Sequence, residues 1–284
     1  MKTIAVLTDF SEKSAHAAKY ALHIVRKMRV NAKFYHLQLV PATLHARPVL
    51  SGDDYPEELM IDTRLAAFSE TLEADLMKRV FPGSFMPQIS TYTDGTDMVD
   101  VMTAIINNTE IAMIVTAPLE TDDLASFMLS DACSRIIDWT AVPVMVVPPN
   151  TPIRNIEKMA FATTLDAGDL LSVAELGSMM NGFHAELMVA HLNNNPADNN
   201  TKAAENELNH KLYDELNCGG VYFRSVPDIK LQKDWEWLKA NKRADLLAVA
   251  KRSKEQMTSF FKRGQSSHIT HHITIPVMVL PKRP

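Results

Sequence analysis

The chain has 284 residues, of which 46% are hydrophobic and 22% charged, and its formal net charge is −5. This composition excludes a disordered chain, the charge gives no basis for binding nucleic acid or an anionic membrane, and no apolar run approaches the ~20 residues that span a bilayer. Asp9 comes too early for a signal peptide, and two cysteines are too few for a disulfide framework, so a cytoplasmic protein is expected.

Short apolar runs alternate with amphipathic segments in the first half of the chain. The first run, residues 4–7, is followed by Ser11, a residue type that caps helices, and then by apolar residues at helical spacing. Next come a strand at 33–40, a helix at 57–80, a strand at 85–92 and a helix at 97–108. This alternation predicts a doubly wound α/β fold with parallel strands.

The following stretch occurs twice. An apolar run ends at Ala117, a polar helical segment follows, and a second apolar run begins at Pro143 and ends at Pro148. The pattern returns near the end of the chain, with Ala250 and Pro276 each 133 positions after Ala117 and Pro143. Buried parallel strands have such uniformly apolar runs, and prolines are tolerated at strand ends. The stretch is therefore predicted to be strand, helix and strand in both copies.

A proline-rich linker at 148–152 precedes a second series of elements. Strands are predicted at 159–163, 185–192 and 221–226, and helices at 167–180, 201–216 and 231–241, before the duplicated unit returns. The chain is therefore predicted to contain two tandem domains, 1–149 and 153–284. Each is expected to be a five-stranded parallel sheet with helices on both faces.

With these features the chain resembles the tandem form of the universal stress protein family. The resemblance is carried by Ile-Ala-Val-Leu-Thr-Asp-Phe-Ser at 4–11, by the Asp94-Gly95 turn and by Val-Pro-Val-Met-Val-Val-Pro at 142–148, with a weaker second copy. It implies a parallel α/β fold and pairing of the two halves through their last strands. A further homodimer and an unidentified protein partner are open alternatives.

Family members that bind ATP have an Asp after the first strand, which Asp9 matches. They also have a Gly-x2-Gly-x9-Gly-Ser/Thr loop after the fourth strand, whose backbone N–H groups hold phosphates. In this chain Ala117, Glu120 and Ser130 occupy the glycine positions and Asp131 the hydroxyl position. The first-half loop therefore has carboxylates where phosphate groups would bind.

The second copy of this loop departs from the pattern in a different way. Ala250, Ser253 and Arg263 occupy the glycine positions, Gly264 follows, and Thr164 replaces the Asp. The loop is basic, so an anion is conceivable, although a solvated helix face also explains its charges. The basic residues are Lys251, Arg252, Lys254, Lys262 and Arg263.

The resemblance gives candidate residues for nucleotide clefts: Asp9, Val40, Ala117, Ser130, Gly264 and Ser266. Because the loops lack most of the glycines, the predicted function is a non-catalytic stress-response or signalling module that binds a protein or small ligand without a cofactor. One alternative is a sensor that binds ATP or AMP, and a second is a weak nucleotide hydrolase. No nucleophile, base and oxyanion donor can be assembled, so an enzyme is not expected.

Histidines give no metal site in the sequence. His268 and His272 would share one face of a helix, but no third ligand is evident, so a surface helix is preferred. His191 lies at a predicted strand end, where packing or a bond to the backbone is expected.

Overall fold

A computed structural model of the chain describes residues 1–39, 57–78, 83–119, 121, 123–193, 198–216, 220–227, 244–257 and 274–281. The elements of the first half are β1 Thr3–Thr8, α1 Glu12–Met28, β2 Asn31–His36, α2 Glu57–Met77, β3 Ile89–Tyr92, α3 Met98–Asn107, β4 Ile111–Thr116, α4 Leu124–Met128, α5 Asp131–Trp139 and β5 Val144–Val146. Those of the second half are β6 Lys158–Thr163, α6 Asp169–Phe183, β7 Glu186–Asn193, α7 Asn199–Leu216, β8 Val221–Pro227, β9 Leu246–Ala250 and β10 Val277–Leu280.

All the strands of the described residues belong to one sheet of ten strands with the order β3-β2-β1-β4-β5-β10-β9-β6-β7-β8. The pairs within each half are parallel. Reading outward from the centre, both halves have the same strand order, with the first strand of each half in the middle of its five. The predicted α/β class is therefore confirmed, although the two sets of strands form one continuous sheet.

The centre of the sheet is the pair β5 and β10. These last strands of the two halves run antiparallel, with Met145 opposite Met278 and Val144 opposite Val279. All four side chains are at most 1% exposed. We call this pair the seam. Its apolar residues are buried on both faces of the sheet, which explains why the closing runs of both copies are so uniformly apolar.

Helices cover both faces of the sheet and enclose two apolar cores. One core contains residues of α1, α2, α6 and α7, including Leu65 and Val173. The other contains residues of α3, α4 and α5, including Val101 and Ile136. No helix among the described residues is both long and apolar enough to cross a membrane.

Three sequence predictions differ from the structure. Strand β2 ends at His36 rather than at 40. The Leu37 N–H still bonds to the carbonyl of Thr8 on β1, but the Gln38 N–H bonds to the carbonyl of Thr96, which lies outside the strands. Strand β3 begins at Ile89 rather than at 85. The polar segment before β5 contains two helices, since Ser130 caps a new helix directly after α4 ends. The helix predicted at 231–241 lies outside the described residues.

Candidate functional site

The topology brings two of the sequence-predicted site residues to one edge of the sheet. Strands β1 and β4 are parallel neighbours, so Asp9 and Ala117 follow them at the same edge. Ala117 is fully buried in the core, whereas Asp9 is half-buried. Ser130 is the N-cap of α5, where its hydroxyl accepts from the Cys133 N–H. Seven other residues singled out from the sequence lie outside the described ranges: Val40, Glu120, Arg263, Gly264, Ser266, His268 and His272.

Asp9 supports the start of α1. Its Oδ1 accepts hydrogen bonds from the Ser11 N–H at 3.0 Å and the Ser11 hydroxyl at 2.6 Å. The Ser11 hydroxyl in turn accepts from the Ser14 N–H and caps the helix. Burial alone would raise the pKa of the Asp9 carboxyl, but the hydrogen bonds from Ser11 and Ser14 outweigh it and lower the pKa below its usual value. Asp9 is therefore ionised at neutral pH and held within the turn.

Phe10, the next residue, fills the space above the ends of β1 and β2. Its backbone has a φ of 62°, a left-handed conformation that is unfavourable for a bulky side chain. Its ring stacks on His36, with centroids 4.5 Å apart, and meets Phe68 edge-on. The Arg64 guanidinium lies 4.4 Å from the Phe10 ring centroid. We call Asp9, Phe10, His36 and Arg64 the first strand-end cluster.

His36 is the buried member of this cluster. It is 8% exposed, and its Nδ1 has no hydrogen-bond partner among the described residues. Burial and the neighbouring Arg64 cation lower its pKa, while the Asp9 carboxylate opposes the shift. His36 is therefore neutral at pH 7, and a buried nitrogen without a partner is an unusual feature that calls for an explanation.

Carboxylates occupy the helix starts that follow β4. Asp123 caps α4, where its Oδ2 accepts from the Ser126 N–H at 2.8 Å and the Ser126 hydroxyl at 2.6 Å. Asp131 lies in the first turn of α5. Helix N-termini attract anions, and here side chains of the protein itself supply the negative charge. A phosphate group at this position would meet like charge.

In the second half, Asp169 organises the corresponding turn after β6. Its Oδ2 accepts from the Thr163 hydroxyl at 2.6 Å and from the Thr164 and Asp166 N–H groups at 3.1 and 3.3 Å. Its Oδ1 accepts from Arg252 Nη2 at 2.5 Å, and the two side chains are 1% and 11% exposed. Thr163, Asp166, Asp169 and Arg252 form the second strand-end cluster.

Within the described residues 251–257, the basic side chains of the second-half loop are therefore paired rather than free. Arg252 bonds to Asp169 and is largely buried, so the interpretation of a solvated helix face is wrong for this residue. Lys251 Nζ lies 2.8 Å from Asp138 Oδ1, and Lys254 Nζ lies 3.1 Å from Asp131 Oδ1. Both of these aspartates belong to α5 of the first half. The basic loop and the acidic segment are thus partners across the seam.

His36 and Asp169 were not predicted from the sequence, and Arg252 was predicted only as one of the basic residues of the second-half loop. Comparison of the two halves could have pointed to His36, because their first strands are offset by 155 positions. That offset relates His36 to His191 and Phe10 to Leu165. In the structure, each histidine lies opposite the last threonine of its half's first strand. Leu165 also has a left-handed backbone, with a φ of 63°.

His191 has a different environment from its counterpart. Its Nδ1 lies 2.7 Å from Glu205 Oε1 on α7, and the Ser225 hydroxyl donates to the same oxygen at 2.6 Å. The His191 side chain is packed, with 13% of its surface exposed, but its Nδ1 bonds to a carboxylate rather than to the backbone. The pairing satisfies a nitrogen that in His36 has no partner.

Comparison with known proteins identifies the fold. No family model matches the chain, and no curated protein matches it in sequence. A universal stress protein from Archaeoglobus fulgidus DSM 4304 has a structure with a TM-score of 0.66 at 13% identity, and the match covers 99% of this chain and 96% of that chain. A protein from Pseudomonas aeruginosa UCBPP-PA14, provisionally called a universal stress protein, has a TM-score of 0.54 at 11% identity over 99% of this chain and 93% of that chain. The chain therefore has the fold of universal stress proteins.

Proposed function

We propose that this chain is a non-catalytic binding module of a stress-response or signalling system, and that its own side chains hold the positions where a nucleotide would bind. The observation that carries the proposal is the pairing of Lys251, Arg252 and Lys254. Each cation that the described part of the second loop offers to a phosphate already contacts a carboxylate of the same chain. Phosphate binding would have to break these pairs.

The first half supports the same conclusion. Asp123 and Asp131 put negative charge at two helix starts, where the family's phosphate loop would need N–H groups open to an anion. Like charges ~4 Å apart repel by about 1 kcal/mol in water and by more when water is excluded. The Phe10 ring, stacked on His36, occupies space above the strand ends. The acidic helix starts and the Phe10 ring of the first half therefore disfavour a polyphosphate.

Nucleotide titration of the full chain tests this proposal. We expect neither ATP nor AMP at millimolar concentration to raise the melting temperature, and no phosphate release from ATP above the background of the buffer. A ligand that binds only the folded state at 100 times its Kd would add about 2.7 kcal/mol of stability, so binding would be visible. A clear upward shift with ATP would overturn the proposal.

A double variant tests the physical reason. Asp123→Ser with Asp131→Ser removes both carboxylates. Serine at 123 can still cap α4, and Ser130 remains the cap of α5. If charge is the obstacle, this variant binds ATP more tightly than the native chain does. Asp198→Ser is the matched control, because Asp198 caps α7 by accepting from the Thr201 N–H. We expect the control to leave ATP binding unchanged.

A sensor of a small ligand is the second candidate function, and the unpartnered Nδ1 of His36 favours it. A ligand that forms a hydrogen bond with this nitrogen would satisfy a buried polar atom beside the ionised Asp9. Adenosine and AMP, which carry less or no phosphate charge, are the appropriate probes. Binding that is lost in His36→Phe would support this candidate, whereas absence of binding would leave the first proposal. In either case we expect the protein to act in the cytoplasm.

A further inference from the structure

A groove lies between the two halves, on the side of the seam where α5 faces the loop after β9. It encloses about 600 Å³, within the roughly 300–1,000 Å³ of typical small-molecule pockets. One wall comes from α4, α5 and Leu129 between them, and the other from residues 251–257 of the second half. The groove therefore exists only because the two halves are joined. We call it the inter-half groove.

The interior of the groove is apolar and adaptable. Met128 and Ile137 are buried members of the core below it, while Leu129 and Met257 are partly buried and pack against the same core. Methionine side chains are flexible and polarisable, so they can accommodate the body of an apolar ligand without a fixed shape. A molecule in the groove would bury hydrocarbon against this surface.

Charged side chains form the rim, and most of them are paired. Lys251 and Lys254 contact Asp138 and Asp131, which also line the groove. Arg252 forms an ion pair with Asp169. Among the described residues, these pairs leave the rim with one cation that contacts no carboxylate, Arg135.

Arg135 is oriented by an aromatic ring. Its guanidinium carbon lies 5.1 Å from the centroid of the Trp139 ring, one turn along α5. A guanidinium held against a ring is pre-organised to bind a carboxylate or phosphate through two parallel hydrogen bonds. The inter-half groove thus combines an apolar interior with a positioned anion-binding group at its rim.

From this combination we infer that the inter-half groove binds a small amphipathic anion, with its apolar body on Met128 and Met257 and its acidic head on Arg135. The head is a carboxylate or a phosphate monoester, since both fit the guanidinium. This site is distinct from Asp9 and His36 of the first strand-end cluster. Arg135 lines the groove and is not part of that cluster, so Arg135→Gln distinguishes binding in the groove from binding of a nucleotide at the strand ends.

Calorimetric titration of the full chain with decanoate tests the inference, with decyl phosphate, decanol and acetate in parallel. We expect decanoate or decyl phosphate to bind with one molecule per chain. Decanol lacks the acidic head and acetate lacks the apolar body, so each should bind at least about tenfold more weakly. Comparison of the two decyl anions identifies which head group the site prefers.

Substitutions locate the site. Arg135→Gln should weaken binding by about tenfold, because a hydrogen-bonded charge pair is lost. Met257→Gln should also weaken binding, because it places a polar group in the apolar wall of the groove. Arg26→Gln, the same substitution on α1 far from the inter-half groove, should leave binding unchanged. The inference is overturned if neither decyl anion binds the native chain, or if Arg135→Gln and Arg26→Gln bind equally well.

Discussion

Lys251 of the second half contacts Asp138 of the first, with Nζ 2.8 Å from Oδ1. A second contact, between Lys254 and Asp131, crosses the same boundary at 3.1 Å. The sequence shows an acidic segment after β4 and a basic loop after β9, and in the structure each is the partner of the other. Their opposite charges therefore stabilise the contact between the two halves.

Reversal of one charge tests this role. Lys251→Glu should destabilise the chain by about 1 kcal/mol, because it replaces an attractive contact with a repulsive one at a partly exposed site. Asp138→Lys combined with Lys251→Glu should recover most of the loss. Urea unfolding at low and at 1 M salt measures both, and the effect should shrink at high salt. A double variant as unstable as the sum of its single variants would contradict the pairing.

The buried pair of Arg252 and Asp169 predicts a larger effect. Arg252→Met leaves a carboxylate that is 1% exposed without its cation, which should destabilise the fold by about 3–5 kcal/mol. Arg154→Met is the matched control, because Arg154 pairs with Asp245 at 2.6 Å but is 49% exposed. We expect the control to lose at most about 1 kcal/mol. Equal losses in guanidinium unfolding would show that burial of the pair is not decisive.

Because the backbone of Phe10 is left-handed, a glycine variant at this position should be more stable than an alanine variant, the reverse of the order in a helix. Both Phe10→Gly and Phe10→Ala lose the ring contacts, but only glycine adopts a φ of 62° without strain. Phe10→Gly should therefore be more stable than Phe10→Ala by about 1 kcal/mol. At Val99, exposed in α3, the glycine variant should be less stable than the alanine variant by about 1 kcal/mol. The same order at both positions would contradict the prediction.

His36 should make stability depend on pH. Its pKa is lowered in the folded state by burial and by Arg64, so the unfolded chain takes up the proton first as pH falls. Stability is then complete above the ordinary pKa near 6.5 and is lost as pH falls below it, by at most about 1.4 kcal/mol per pH unit.

Replacement of the imidazole isolates this contribution. His36→Gln should show a smaller loss of unfolding free energy between pH 8 and pH 5.5 than the native chain does. Burial also lowers the pKa of His16 and His23, so part of the dependence should remain. Identical pH profiles for variant and native chain would rule out His36 as a contributor.

Local patterns predicted much of the fold because they act over a few residues. Ser11 and Asp97 cap helices where the sequence indicates, and the runs after Pro143 and Pro276 form β5 and β10. The contact between Arg252 and Asp169 could not be predicted in this way. The two residues lie 83 positions apart, and only the packing of β6 beside β9 brings them together.

In the candidate site, too, local features could be predicted from the sequence and tertiary contacts could not. Asp9 was found because a family motif marks it, whereas the Phe10 and His36 stack depends on the register of β1 and β2. Comparison of the halves at an offset of 155 positions would have drawn attention to His36 through His191. It would not have predicted their different partners, since Glu205 lies on a helix whose placement follows from the tertiary structure.

The seam joins two halves that are similar in fold but different in sequence, and this makes its two sides inequivalent. By the 133-position offset, Lys251 corresponds to Pro118 and Asp138 to His271. A proline and a histidine therefore stand at the positions that the offset relates to this lysine and this aspartate. Two identical subunits would be forced to make the same contact twice. A single chain is not bound by that requirement. A ligand or partner that recognises the Lys251–Asp138 pair therefore has one copy of it per chain, in one orientation. We expect such a partner to bind with a stoichiometry of one per chain.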